Sequence, residues 1–437
     1  MAIFEADPQD FDVVFCANAT AAIKLVVEAF SAQSSGYSYK YHADAHTSLV
    51  GIRQLAKTAE CMETDADVER WLSSEDVGGG EGSMDEGVGL FGWPGQSNFT
   101  GRRLPQGDWA GRLRQRHPRY YSLFDAAALL TTAPLDLSNP ATAPDFTALS
   151  FYKIFGFPDL GALIVRRESA GILRTRRYFG GGTVDSLSST HTHFVARKND
   201  HPHDHLEDGT LPFHSIVALD VCMSTHQRLY IDAYHISKHA FTLAKWTYYH
   251  MSQLYHPSTH LPLCTFYPST PDHFSSSTTQ GPIISFNLQT SSGDWIGYST
   301  VEKEASARNI HLRVGGMCNA GAIELYVGLK PEEIQQNYAD GHVCSDEMDV
   351  MNGKPTGAVR VSFGAMSTVD DVLVLLAFLR EFLDRDRGEK EEMTLNGQER
   401  SSFPLNRKGD VMDELAMAMC CGPRSRKTPP SQGCIIS

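Results

Sequence analysis

The chain has 437 residues, 41% apolar and 21% charged, which suits two or three domains with a sizeable core and argues against disorder over most of the length. Its formal net charge of −14 argues against nucleic-acid binding, which needs a basic footprint. The nine cysteines show neither CxxC nor paired zinc-ligand spacing, so reduced thiols in a cytoplasmic protein are the expectation; no signal-peptide pattern opens the chain, and the longest apolar run, Val372 to Leu379, is far too short for a bilayer.

Phe11–Phe15 reads as a strand, followed by Asn18-Ala19-Thr20 and an apolar helical pattern from Ala21 to Phe30. A domain rarely starts in the middle of such a strand–loop–helix unit, so a preceding segment is expected to be missing. Residues 60 to 86 hold ten acidic residues and one basic one around Gly78-Gly79-Gly80, the composition of a solvated, flexible insertion over 60–87. Val88–Trp93, Tyr121–Asp125, Phe146–Phe151 and Ala162–Val165 read as further strands, some separated by helical patterns. This alternation marks an α/β fold with a largely parallel sheet. Ile216–Leu254 is mostly helical, Pro282–Leu288 and Val359–Phe363 read as strands, and Val369–Phe382 reads as an amphipathic helix. The expected organisation is a large domain over 1–245, a small one over 246–385 and a polar tail over 386–437.

Two residues could carry chemistry. Asp125 ends one expected strand, and Lys153, in Ser150-Phe-Tyr152-Lys153, follows another; open α/β sheets bind ligands at such strand ends. An amine for a Schiff base and a carboxylate for a pyridinium nitrogen are what pyridoxal 5′-phosphate (PLP) chemistry requires. Taken alone, the pair reads more readily as a capping Asp and a surface Lys than as a cofactor site. Asn18-Ala19-Thr20 stands at a helix start, where an anion is favoured, although a plain helix cap has the same signature. Gly180-Gly-Gly-Thr183 is a second phosphate-type loop or a flexible turn. His46 follows a strand end, where an imidazole could stack on a cofactor ring or simply be a satisfied polar residue. His191, His193, His201, His203, His205 and His214 are read as a surface loop rather than a metal site.

Several segments, in order, resemble the N-terminal domain of molybdenum cofactor sulfurases, a cysteine-desulfurase-like member of the class V aminotransferases. They are Asn18-Ala-Thr, Asp44-Ala-His46-Thr-Ser, Pro94-Gly-Gln-Ser-Asn98-Phe-Thr-Gly-Arg-Arg, Ser150-Phe-Tyr-Lys-Ile-Phe-Gly-Phe-Pro, Tyr178-Phe-Gly-Gly-Gly-Thr183-Val, Glu207-Asp-Gly-Thr, Arg313-Val-Gly-Gly-Met-Cys318-Asn and Gly357-Ala-Val-Arg360-Val-Ser-Phe-Gly-Ala-Met-Ser-Thr. The resemblance runs from about residue 7 to about 385. It implies an α/β chain of PLP-dependent transferase fold type I, with a mostly parallel seven-stranded sheet in the large domain and a small α/β C-terminal domain.

The same resemblance implies roles. Lys153 would hold PLP, Asp125 would pair with its pyridinium nitrogen and His46 would stack on its ring. Asn18, Ala19, Thr20, Ser150 and Tyr152 would complete the cofactor site, with Thr183 reaching the phosphate of a second subunit in a homodimer. Arg360 and Asn98 would bind the substrate, and Cys318 would take sulfur from L-cysteine as a persulfide, releasing alanine. A sulfur acceptor protein or the molybdenum cofactor would be the partner. The pattern departs from the family at Gly316, Ala320 and Ile323, and about fifty residues after 385 are too few for the C-terminal cofactor-binding domain of complete sulfurases. Alternative readings are a C–S lyase or another β-elimination on the same scaffold, and a truncated non-catalytic relative.

The last four residues, Cys434-Ile-Ile-Ser437, match a prenylation signal. Cys420-Cys421 and the basic Arg424, Arg426 and Lys427 upstream could supply the second signal that stable anchoring requires. The expected location is cytoplasmic, with attachment to the cytosolic face of a membrane if Cys434 is modified.

Overall fold

The strands expected at Phe11, Val88, Tyr121, Phe146 and Ala162 all lie in one sheet. The computed structural model describes residues 1–74, 87–190, 193–268 and 274–385. The second half of the acidic stretch, His191 and the tail with Cys434 lie outside them. Seven strands, β1 (Phe11–Cys16), β2 (Tyr37–His42), β3 (Thr58–Met62), β4 (Val88–Pro94), β5 (Tyr120–Asp125), β6 (Phe146–Ser150) and β7 (Gly161–Arg166), form a sheet of order β1-β7-β6-β5-β4-β2-β3. Pairing is parallel from β6 through β5, β4 and β2 to β3, and β7 runs antiparallel to both of its neighbours. This is the mostly parallel α/β sheet of PLP fold type I. Both faces are covered, as parallel sheets require. Along β5, Leu123 faces a core with Val26, Phe30 and Phe146, while Phe124 faces one with Trp93, Trp109 and Leu149.

The helices that matter for the sheet's ligand edge are α1 (Ala19–Ser31), α2 (Thr47–Val50), α3 (Asp65–Ser73), α4 (Gly107–Arg116) and α5 (Phe151–Phe155). Strand β3 and helix α3 correct the expectation of a flexible insertion from residue 60. Val68 and Leu72, four apart, are fully buried against Trp93 and Trp109. Thr64 and Asp67 form a capping box that starts the helix. Counting acidic residues hid this helical period, because Asp65, Asp67 and Glu69 outnumber its two buried apolar residues.

Further along the chain, a second, antiparallel sheet joins Cys264–Tyr267, Ile283–Gln289, Ala358–Ser362 and Arg313–Gly315, with Trp295–Ile296 beside Ile283–Gln289. Helices Ala233–Met251, Tyr298–Ser306 and Val369–Arg380 share its core through Leu243, Val301 and Leu376. The long helical stretch is two helices, Phe213–Tyr230 and Ala233–Met251. They part at Ile231, whose φ of 68° ends the first, and at Asp232, which caps the second by accepting the His235 amide. The described residues fall in one compact unit, Met1–Arg387, and the expected domain division at 245/246 falls within helix Ala233–Met251.

Candidate active site

The C-terminal ends of β1, β2, β4, β5 and β6 share one edge of the sheet, where α/β folds bind ligands. Helix α1 starts there. Asn18 caps it, its side-chain oxygen accepting the Ala21 amide at 3.0 Å, and the Ala19 amide donates to Ser150 Oγ at 2.9 Å. Segments 131 residues apart are thereby joined into one cradle, with Thr20 exposed on the first turn of a 13-residue helix. The Ser150 hydroxyl uses a lone pair on Ala19 and keeps its own hydrogen to donate.

Lys153 sits on α5, exposed, and among the described residues its amine has neither a hydrogen-bond nor an ion-pair partner. Asp125 is buried at the end of β5, with Oδ1 accepting the Ala127 amide at 2.9 Å; no basic side chain pairs with it among the described residues. His46 caps α2, and its Nδ1 accepts the Ser48 amide at 3.1 Å, which fixes the ring. Burial lowers the pKa of His46, with Asp125 pulling it up and Lys153 pushing it further down. Asp125 and Lys153 therefore both lie within electrostatic reach of His46.

A cleft of about 590 Å³ brings Lys153 together with Asn98, Tyr152, His226 and Arg360. Arg360 Nη1 donates to the Asn98 carbonyl at 2.5 Å, while its Nε is buried without a partner. Burial, reinforced by nearby Arg313, lowers its pKa to about 10, so it stays charged at neutral pH. No carboxylate pairs with it among the described residues, an arrangement that calls for an external anion.

Cys318 is exposed on the loop after Arg313–Gly315. Its carbonyl accepts the amide of Thr47, the residue after His46, at 2.9 Å. Met317 and Cys318 both have positive φ, 54° and 56°, a conformation that costs non-glycine residues roughly 1–3 kcal/mol each and clusters at functional sites. Asn98 ties this loop down: Nδ2 donates to the Met317 carbonyl at 2.7 Å, and Oδ1 accepts from Asn319 Nδ2 at 3.1 Å. Its amide, expected to bind substrate, is thus already engaged with the loop.

Thr183 does not line this cleft. It is buried, and its hydroxyl donates to the Gly180 carbonyl at 2.8 Å. His201 and His203 of the histidine group also lie elsewhere. His203 pairs with Asp12 at 2.9 Å, His201 Nδ1 meets Arg167 at 2.9 Å, and the described residues hold no cluster of metal-ligand side chains. Sequence reasoning quoted Asp44, Arg102 and Asn319 within motifs but gave them no role, and it passed over His226. The buried Asp44 accepts from Ser97 Oγ at 2.6 Å and Tyr326 at 3.2 Å and pairs with Arg102 at 3.4 Å. Its sequence signal was its place at the head of the Asp44-Ala-His46-Thr-Ser segment.

The aminotransferase class-V family model matches residues 2–375. The chain is 47% identical over 381 residues to the molybdenum cofactor sulfurase of Aspergillus niger, covering 87% of this chain and 45% of that protein. It is 47% identical to the one from Neosartorya fischeri, over 96% and 49%. The chain spans about half the length of the curated relatives it matches. Among solved structures it is similar to an apo cysteine desulfurase from Thermococcus onnurineus NA1, with a TM-score of 0.65 and 17% identity, over 88% of this chain and 82% of that one. A complex of the cystine C-S lyase C-DES with cysteine persulfide gives a TM-score of 0.61 at 15% identity, over 87% and 84%. At these identities the structures bear on the fold alone.

Proposed function

The chain belongs to the aminotransferase class-V family, and from that premise we propose that it takes sulfur from L-cysteine onto Cys318 and passes it on. PLP is the cofactor of the family, and the residues fit it. The start of α1 with Thr20 and Ser150 suits the phosphate. The unpaired Lys153 suits the aldehyde, the buried Asp125 with one oxygen uncommitted suits the pyridinium nitrogen, and the fixed His46 ring suits one face. Bound there, the cofactor supplies an electron sink that labilises bonds at the α and β carbons of an amino acid.

The chain's own residues do the rest. Arg360 binds the substrate carboxylate through its bidentate fork, using the buried Nε that lacks a partner. Lys153, once freed, moves protons at the substrate carbons from the same cleft. Cys318 presents its thiolate to the substrate sulfur. A new S–S bond forms on Cys318 as the Cβ–S bond breaks, the electron pair goes to Cβ with a proton, and alanine leaves. The observation that carries this reading is the bond from the Cys318 carbonyl to Thr47, which holds the thiol's loop beside His46. The relatives' names favour the molybdenum cofactor as the destination of the sulfur. Two copies would assemble through the exposed apolar face of helix Phe213–Tyr230.

The test is the visible spectrum of the purified chain with PLP, beside Lys153→Ala, before and after L-cysteine, with mass spectrometry of Cys318. A Lys153-dependent band that shifts with L-cysteine, and a gain of one sulfur atom on Cys318, are expected. Turnover that Cys318→Ser leaves unchanged would instead assign a β-elimination.

A further inference from the structure

The loop that carries Cys318 is held by a polar group that the proposed chemistry does not itself use. Asp44 is fully buried and lies two residues before His46. Its backbone carbonyl accepts from Asn319 Nδ2 at 3.2 Å and its carboxylate from the same nitrogen at 3.4 Å, across 275 residues of chain. The remaining carboxylate contacts go to Ser97, Tyr326 and Arg102. Arg102 turns its other nitrogen to Asp65 at 2.6 Å, and Asp65 meets His42 at 3.0 Å. The buried acid is therefore charge-compensated and fixed in place. Asn319 in turn caps the next helical turn, accepting the Ala322 amide at 3.0 Å. Gly321 packs against the Ala43 backbone so closely that any side chain would collide with it.

Resting on the function proposed above, we infer that Asp44 and Asn319 form a latch that docks the Cys318 loop against the His46 segment, a positioning pair for sulfur acceptance. Two consecutive residues in left-handed conformation, Met317 and Cys318, do not hold that shape unaided; contacts from outside the loop must over-determine it. The latch provides them at the residue adjoining the thiol. Neither side chain lines the cleft around Lys153 and Arg360; Asn319 meets it through Asn98 Oδ1, and Asn98 keeps its own bonds to the Met317 carbonyl and to Arg360, so loosening the pair leaves cofactor and substrate binding in place and removes the thiol's alignment.

The test compares the parent with Asp44→Asn, Asn319→Ala and the double variant, in the PLP-loaded chain. Hydrogen exchange is read on the peptide containing the Thr47 amide, which donates to Cys318 in the docked loop. The rate of persulfide formation on Cys318 is read with L-cysteine. Exchange at Thr47 at least tenfold faster is expected in Asn319→Ala, and a smaller rise in Asp44→Asn, which keeps the backbone carbonyl's bond to Asn319; persulfide formation slows in the same order, at least tenfold in Asn319→Ala, with the cofactor band and KM for L-cysteine within twofold of the parent. Residues acting through one contact are not additive, so the double variant should be no slower than the slower single one. Parent-like exchange in Asn319→Ala, or losses that multiply in the double variant, would overturn the latch. Should Asp44→Asn fail to fold, Asn319→Ala decides alone. If the parent itself forms no persulfide, the proposed function falls, and the exchange comparison still judges the latch.

Discussion

Burial sets the protonation of the histidines near the cleft. His46 and His226 are both lowered from their ordinary value by desolvation, as is the more distant His205. A histidine lowered on folding is protonated first in the unfolded chain as pH falls through its ordinary value of about 6.5. The fold therefore loses stability on acidification through that point. Asp65 acts in a separate, lower window. Burial would raise it, but its bonds to His42 and Arg102 pull it well below the carboxylate range, so its contribution is lost only in stronger acid. Between pH 7.5 and 5.5 the melting temperature is expected to drop, and to drop less in His226→Phe. That variant keeps the ring between Phe155 and Tyr230 and removes the proton. An equal drop in both would show that His226 does not contribute. Asp125 and Lys153 were legible because a strand end and the next strand's exit are places where chemistry sits. Asp44 was not, since nothing local distinguishes a buried acid from a turn residue until its partner 275 residues away is folded beside it.

At the scale of elements, the cradle at α1 depends on a close approach. A Cβ at Gly161, where β7 begins, would stand 2.5 Å from Asn18 Cα and 2.7 Å from the Leu149 carbonyl oxygen. Both are backbone atoms that cannot swing away. Gly161→Ala should cost about 1–3 kcal/mol of stability through overpacking and weaken PLP retention at least tenfold, measured by dialysis and by thermal melting. Retention equal to the parent would show that the Asn18 turn can shift without loss. The strands of the large sheet were readable because both of its faces are buried, which leaves apolar runs bounded by turns. Helix α3 was missed because its two buried residues, Val68 and Leu72, are outnumbered by Asp65, Asp67 and Glu69. The small sheet was only half readable, since Arg313–Gly315 is three residues long and gains its place from pairing with Ala358–Ser362.

At the scale of the whole molecule, helix Phe213–Tyr230 carries an uncovered apolar stripe. Phe213, Val217 and Val221, spaced by four on one helix, are 58%, 67% and 60% exposed, a pattern that marks an interaction surface rather than scattered surface residues. We expect the mass of two chains by light scattering, and of one chain for Val217→Glu combined with Val221→Glu. A parent with the mass of one chain would remove the proposed assembly. The span of the latch also orders the site in time. His46, Asp125, Ser150 and Lys153 leave the ribosome well before Cys318 and Arg360. At 5–20 residues per second, the 275 residues between Asp44 and Asn319 take about 14–55 s to synthesise. In the later part of that interval, once Lys153 is made, the nascent chain carries the residues proposed to grip a cofactor while lacking those proposed to hold a substrate and accept its sulfur. The proposed sulfur acceptor is made after the sheet edge that it faces.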